Sequence, residues 1–326
     1  MVNMKIDGKD YDIIDVYDTS VTVPDSFVVN DNKTCGGHGE AKLYMGSKNH
    51  MRFFYANDPN ILGFEAKCFV LKEDLLQYMR IILHEYRYPS VIYRGQGASG
   101  NMYKLWKQRY KEIQKLPNYI EFKIKDQNQI KGNRGYVKCT GNTLKGGYGI
   151  IRTISLPFVS YISVMKLKEH ATNEDVFYWK LFADFSQMAE QQYWAKHYGE
   201  KKAVSVNKKR DGQIKYRQDL FAQFGYCPFS KIDDVRLLIA SHIKPWAICD
   251  TQEKYDPNNG LMLSPLYDKL FDKGYISFED NGELKISNWL SVANRNRIDF
   301  RFDVDDLHLT DERRKYLDYH RKNVFK

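Results

Sequence analysis

Between Leu71 and Arg87 the run LKEDLLQYMRIILHEYR sets apolar residues three and four apart, which predicts one amphipathic helix. Before it, residues 1–60 alternate over short stretches such as SVTVPDSFVV and HMRFFYA between Gly, Asn and Asp clusters, the pattern of strands and turns. SVIY (90–93) reads as a strand, RGQGASG as a turn, and NMYKLWKQRYKEIQKL (101–116) as a basic helix. From Asn118 to Met165, segments such as YIEFKIK and GIIRTISL predict β-structure around glycine turns, and 174–198 predicts a helix. The polar stretch 199–213 reads as a linker, followed by a short helix over IKYRQDLFAQFG. VRLLIASHIKPW is β-compatible and stops at Pro245, since proline cannot donate to a ladder. NGLMLS is a second short strand, and Pro265 suits the first turn of a helix carrying LYDKLFD. GYISFEDNGELKIS then forms a hairpin with an Asp-Asn-Gly turn. There is no internal repeat.

Composition narrows the class. A chain of 326 residues with 43% apolar and 28% charged residues is globular and long enough for two domains. No stretch approaches the roughly 20 apolar residues that span a bilayer, and the start lacks the pattern of a signal peptide. Five widely spaced cysteines without a CxxC pair predict free thiols and a cytoplasmic protein. Net charge is +9, concentrated in residues 101–150 (11 Lys/Arg against 3 Asp/Glu) and 201–217 (7 against 1). Such segments suit a polyanion or form a solvated basic surface.

The region 240–274 carries the chemistry. Asp268 and Asp272 are four apart on the predicted helix and share a face. Like charges at that spacing repel; a divalent cation reverses the sign, and Lys269 and Lys273 offer an alternative neutralisation. The full order of His242, Asn259, Asp268 and Asp272 resembles the HNH nucleases, whose ββα-metal fold is a hairpin and one helix around a metal ion. The pattern SHIKPW…NGLxLSPxxDxLFDxG looks most like the restriction-endonuclease branch, over roughly residues 208–290. The resemblance implies His242 as general base, Asn259 as the residue that fixes the imidazole or the opposite strand, and Asp268 and Asp272 as ligands of Mg²⁺ or Mn²⁺. It also implies a one-metal hydrolysis leaving 5′-phosphate and 3′-hydroxyl ends. Many HNH sites place an acid or histidine before the base as a further ligand; here Ser241, a poor ligand, stands there as the third candidate metal residue, unless water fills that position or the ligand set is smaller. Cys35-x-x-His38 is half a zinc site, and no zinc is assigned.

Three other signals compete. Gly95, Gly97 and Gly100 spell GxGxxG before the basic helix, yet no alternating βα units follow. Asp58, Glu65 and Lys67 are the residue types of another nuclease core, and a chance match in a lysine-rich chain. The loop 125–149 mixes Lys, Arg, Asn and Gln, residues that read bases in the major groove. Candidate DNA contacts are therefore Lys131, Arg134, Lys138 and Lys145, with Lys208, Lys209, Arg210, Arg217 and Lys244 nearer the nuclease motif.

The expectation is an α+β protein: a mixed DNA-recognition domain (1–200) followed by a ββα-metal HNH nuclease domain with a C-terminal extension (205–326). The function expected is a type II restriction endonuclease on double-stranded DNA, a homodimer for double-strand cleavage, without a membrane. Alternatives are a modification-dependent or homing endonuclease, an inactive DNA-binding protein, and a nucleotide-dependent oxidoreductase.

Overall fold

The computed structural model describes residues 2–23, 43–55, 64–89, 102–126, 134–139, 146–157, 159–183 and 204–326. The chain divides into two compact units, 1–184 and 185–326.

The first unit is built on one mixed sheet. In chain order its elements are β1 (Val2–Ile6), β2 (Lys9–Thr22), β3 (Leu43–Ser47), β4 (Glu65–Leu71), α1 (Lys72–Ile81), α2 (Leu83–Arg87) and α3 (Met102–Gln114). Then follow β5 (Tyr119–Asp126), β6 (Arg134–Cys139), α4 (Gly147–Ile154), β7 (Ser160–Glu169) and β8 (Asp175–Ala183). Among the described residues the sheet has the order β1-β2-β7-β8-β4-β5-β6-β3, antiparallel except for β4 beside β8. Strand β5 shows why it forms: Ile120, Phe122 and Ile124 are buried while Glu121, Lys123 and Lys125 face solvent. Helix α4 lies against that buried face so closely that a Cβ on Gly147 would stand 2.5 Å from Phe122.

Several elements differ from their sequence pattern. Residues 175–183, expected helical, are strand β8; Val176, Phe177, Tyr178 and Trp179 are all buried, so both faces are apolar and no alternation marks the strand. GIIRTISL, expected as β-structure, lies largely in α4, for a short apolar run carries no period that separates strand from helix. HMRFFYA falls mostly in a 3-10 helix, Lys48–Phe54. The predicted helix 71–87 is broken at Ile82 into α1 and α2. The segment expected as a linker enters a helix at Val204. Cys68, Cys227 and Cys249 are free, whereas Cys139 is disulfide-bonded, against the expectation of free thiols throughout. SVIY and RGQGASG lie outside the described residues.

The second unit comprises α5 (Val204–Phe224), β9 (Ile239–His242), β10 (Gly260–Leu263), α6 (Pro265–Asp272), β11 (Ile276–Phe278), β12 (Leu284–Ile286), α7 (Val292–Arg295) and α8 (Asp311–Asn323). Strands β9 and β10 pair antiparallel, with His242 opposite Gly260 and Ser241 opposite Leu261. Their core joins Tyr216, Leu220 and Phe224 of α5 to Leu261, Leu263, Leu270, Phe271, Phe278 and Leu317. Pro265 occupies the first turn of α6, and Gly274 ends it at φ +69, where a Cβ would also strike the carbonyl of Val324. The chain is thus mixed α and β, with the hairpin-plus-helix of the ββα arrangement in its C-terminal unit.

Candidate active site

His242 ends β9, and its ring is fixed on three sides. It stacks on Tyr216 (centroids 4.4 Å apart), meets the edge of Trp246 (5.2 Å), and places Nε2 3.0 Å from the carbonyl oxygen of Lys254. A carbonyl only accepts, so Nε2 carries the proton and Nδ1 keeps the lone pair. Burial pushes the imidazole pKa below its ordinary value, against the opposing bond to Lys254. His242 is therefore neutral near pH 7, with Nδ1 as its basic atom.

Asn259 is fully buried and bonds through both its side chain and its carbonyl. Its Oδ1 accepts from the backbone N–H of Lys244 (2.8 Å), and its Nδ2 donates to the carbonyl of Glu253 (3.0 Å) and to Cys249 Sγ (3.2 Å). Its own carbonyl accepts from Ile243 N–H (3.1 Å) and from the Tyr216 hydroxyl (3.0 Å). These bonds tie the 244–254 loop to the strand end, and that loop supplies the carbonyl that sets the His242 tautomer. The hydrogen bonds of Asn259 thus run to the opposite strand and the loop and not to the imidazole ring. Gly260 follows because Tyr216 fills the space beside it: a Cβ would lie 2.1 Å from the hydroxyl.

Asp268 is half-buried and Asp272 exposed, one turn apart on α6. Burial raises the Asp268 pKa; a hydrogen bond from the buried Ser241 opposes this, and the Asp272 charge adds to it. Adjacent residues of a strand point to opposite faces. Ser241 accordingly meets Asp268 on α6, while His242 lies on Tyr216 of α5. Lys273 stands 3.8 Å from Asp272. Among the described residues no group of three or more His, Cys, Asp and Glu could hold a metal ion. Two neighbouring carboxylates whose charges repel still fit the sparse mode of Mg²⁺, which binds through one or two carboxylates and keeps several waters. An all-oxygen pair also favours Mg²⁺ or Mn²⁺ over zinc.

The other candidates fall in different places. Lys244 is committed to Glu253, with Nζ 2.6 Å from both carboxylate oxygens. Arg217 donates to the carbonyls of Val235 (2.5 Å) and Leu238 (2.8 Å), bracing the approach to β9. Lys138 is half-buried on β6 opposite Lys125. Arg134 opens β6, and Lys208, Lys209 and Arg210 lie in α5, with side chains outside the described residues; Lys131 and Lys145 lie outside them altogether.

One cluster has no counterpart in the sequence reading. Arg313 of α8 is fully buried and donates to the carbonyls of Leu307 (3.2 Å), His308 and Pro257 (3.0 Å) and to Gln223 Oε1 (2.9 Å). Burial lowers its pKa to about 10. Tyr316 donates to Asp256 (3.0 Å) and Thr310 to Asn258 (2.9 Å). Helix α8 thus clasps the turn Asp256–Asn258 that presents Asn259.

Residues 227–279 match the HNH endonuclease family, a stretch that holds the hairpin, α6 and all four residues of the expected motif. Such a domain implies nuclease chemistry on DNA and, as in the family generally, dependence on a divalent metal. No curated protein matches the chain. Among the described residues no helix is long and apolar enough to cross a membrane.

Proposed function

We propose that the protein is a type II restriction endonuclease of the cytoplasm, which hydrolyses both strands of duplex DNA as a homodimer. In this reading residues 1–200 select the sequence and 205–326 cut. The observation that carries it is the setting of His242: held by aromatic rings on two sides, with Nε2 3.0 Å from the Lys254 carbonyl oxygen, which leaves Nδ1 as the basic atom.

His242 Nδ1 takes a proton from the attacking water, and the resulting imidazolium is stabilised by the Lys254 carbonyl at Nε2. Asn259 keeps that carbonyl in place by holding the Glu253 carbonyl beside it. Asp268 and Asp272 would hold the divalent ion, with Ser241 orienting Asp268 instead of acting as a ligand. When bound, that ion supplies charge neutralisation at the scissile phosphate and the leaving oxygen.

Digestion of methylated and unmethylated genomic DNA with Mg²⁺, followed by sequencing of the ends, tests the proposal. Ends sharing one short motif on unmethylated DNA are expected. Ends only on modified DNA would favour a modification-dependent enzyme, and no cleavage of either would leave a DNA-binding protein.

A further inference from the structure

Helix α3 divides into stripes at about 100° per residue. Met102, Arg109 and Ile113 are buried on one side, which removes Arg109 from any outer surface. On the opposite side Lys104, Lys107 and Lys111 are exposed, and exposed Lys115 continues the row just past the helix end. Successive spacings of three, four and four residues put like charges next to one another, an arrangement that destabilises a helix. The one acid of α3, Glu112, accepts instead from Gln108 (3.0 Å).

Between the stripes runs a row of half-buried rings. Trp106 stacks on Tyr110 (4.7 Å) and on Tyr103 (6.2 Å), and donates from Nε1 to the carbonyl of Met79 (2.8 Å). Three cations border this row: Arg87 and Lys107 lie over the Tyr103 ring (each 4.6 Å from its centroid), and Arg80 reaches the Tyr110 hydroxyl (3.5 Å). The ring row thus anchors α3 on α1 and leaves Lys104, Lys107, Lys111 and Lys115 exposed.

We propose that this lysine face of α3 is a docking surface for the phosphate backbone of duplex DNA, an inference that rests on the nuclease reading and names where the first unit takes hold. Charge complementarity argues for the occupant. The row from 104 to 115 extends about 16 Å along the helix, the rise of about five phosphates of one strand. A polyanion turns the mutual repulsion of the lysines into a gain. The face positions the protein without reading bases, since phosphate contacts carry no sequence information. It lies outside the loop 125–149 from which base contacts were expected.

The test uses the full-length protein with Lys104→Gln, Lys107→Gln and Lys111→Gln combined, and a second variant with Glu at the same positions. Binding of a labelled duplex is followed by fluorescence anisotropy in EDTA from 50 to 300 mM salt. The Gln variant is expected to bind about 10- to 100-fold more weakly at low salt, with a salt slope smaller by about 2 to 3. The Glu variant should bind more weakly still. Melting temperatures at or above wild type would show that the fold is intact. Affinity and slope equal to wild type in both variants overturn the surface; so does weakening with an unchanged slope. Wild-type plasmid cleavage is measured in parallel with Mg²⁺. A reduced slope in the variants with no cleavage by wild type would support the surface and sink the nuclease reading instead.

Discussion

A backbone carbonyl decides which nitrogen of His242 is basic. Lys254 accepts from Nε2, so Nδ1 is left for water, and no side-chain pattern in the sequence encodes that choice. That Asp268 and Asp272 share a face of α6 was legible from their spacing; the Ser241 bond to Asp268 was not, because it joins β9 to α6 across the packed face. Replacing Asp268 with Ala should raise the Mg²⁺ concentration for half-maximal cleavage by about tenfold or more, and Asp272→Ala by less, because Asp272 is exposed beside Lys273. Metal titration of activity checks this, together with melting in EDTA. A large melting drop without any shift in the Mg²⁺ requirement would make the pair structural. His320 gives a separate reading at low pH. It is buried, stacked on Phe271 (4.0 Å), accepts from Ser277 at Nδ1 and donates to the Phe271 carbonyl; burial lowers its pKa to about 3. The folded pKa lies below the unfolded one, so the unfolded chain binds the extra proton. Stability from this group is complete above about pH 6.5 and is lost as pH falls toward 3, roughly 3 kcal/mol of it by pH 4.5. Denaturant melts of wild type and His320→Phe should show a shallower pH slope in the variant. Parallel slopes would remove His320 as the cause.

At the level of elements, the start of α6 was readable from Pro265, and the β11–β12 hairpin from Asp280-Asn281-Gly282, where Gly282 takes φ +86. Strand β8 was not, since its aromatic run is buried on both faces and shows no alternation. The role of α8 was hidden for another reason. Arg313 reaches Pro257 and Gln223, partners far away in sequence, and nothing local marks it. Substituting Arg313 with Met should lower stability by roughly 3 kcal/mol, because several buried carbonyls lose a charged donor. It should also lower kcat about tenfold or more with little change in KM for DNA, through the turn that presents Asn259. Kinetics well below the melting temperature separate the two effects. A stability loss with wild-type kcat would confine α8 to a structural role.

The molecule as a whole joins a sheet-based unit to a hairpin-and-helix unit with its own core of α5, β10, α6, β11 and α8. That the C-terminal part resembles an HNH nuclease was evident from a short, dense motif with fixed offsets. The first unit offered no such motif, and the loop from which base contacts were expected lies largely outside the described residues. A fragment of residues 185–326 should nick DNA weakly and without sequence preference, because the proposed readers and the α3 lysines are absent from it. Discrete fragments identical to those from the whole protein would move recognition into the nuclease unit. The most direct test of the central claim is plasmid cleavage by His242→Ala beside wild type in Mg²⁺, with DNA affinity measured on both. The account predicts Mg²⁺-dependent cleavage by wild type, none detectable from the variant, and affinities within a few-fold of each other. Cleavage by the variant at the wild-type rate would contradict it.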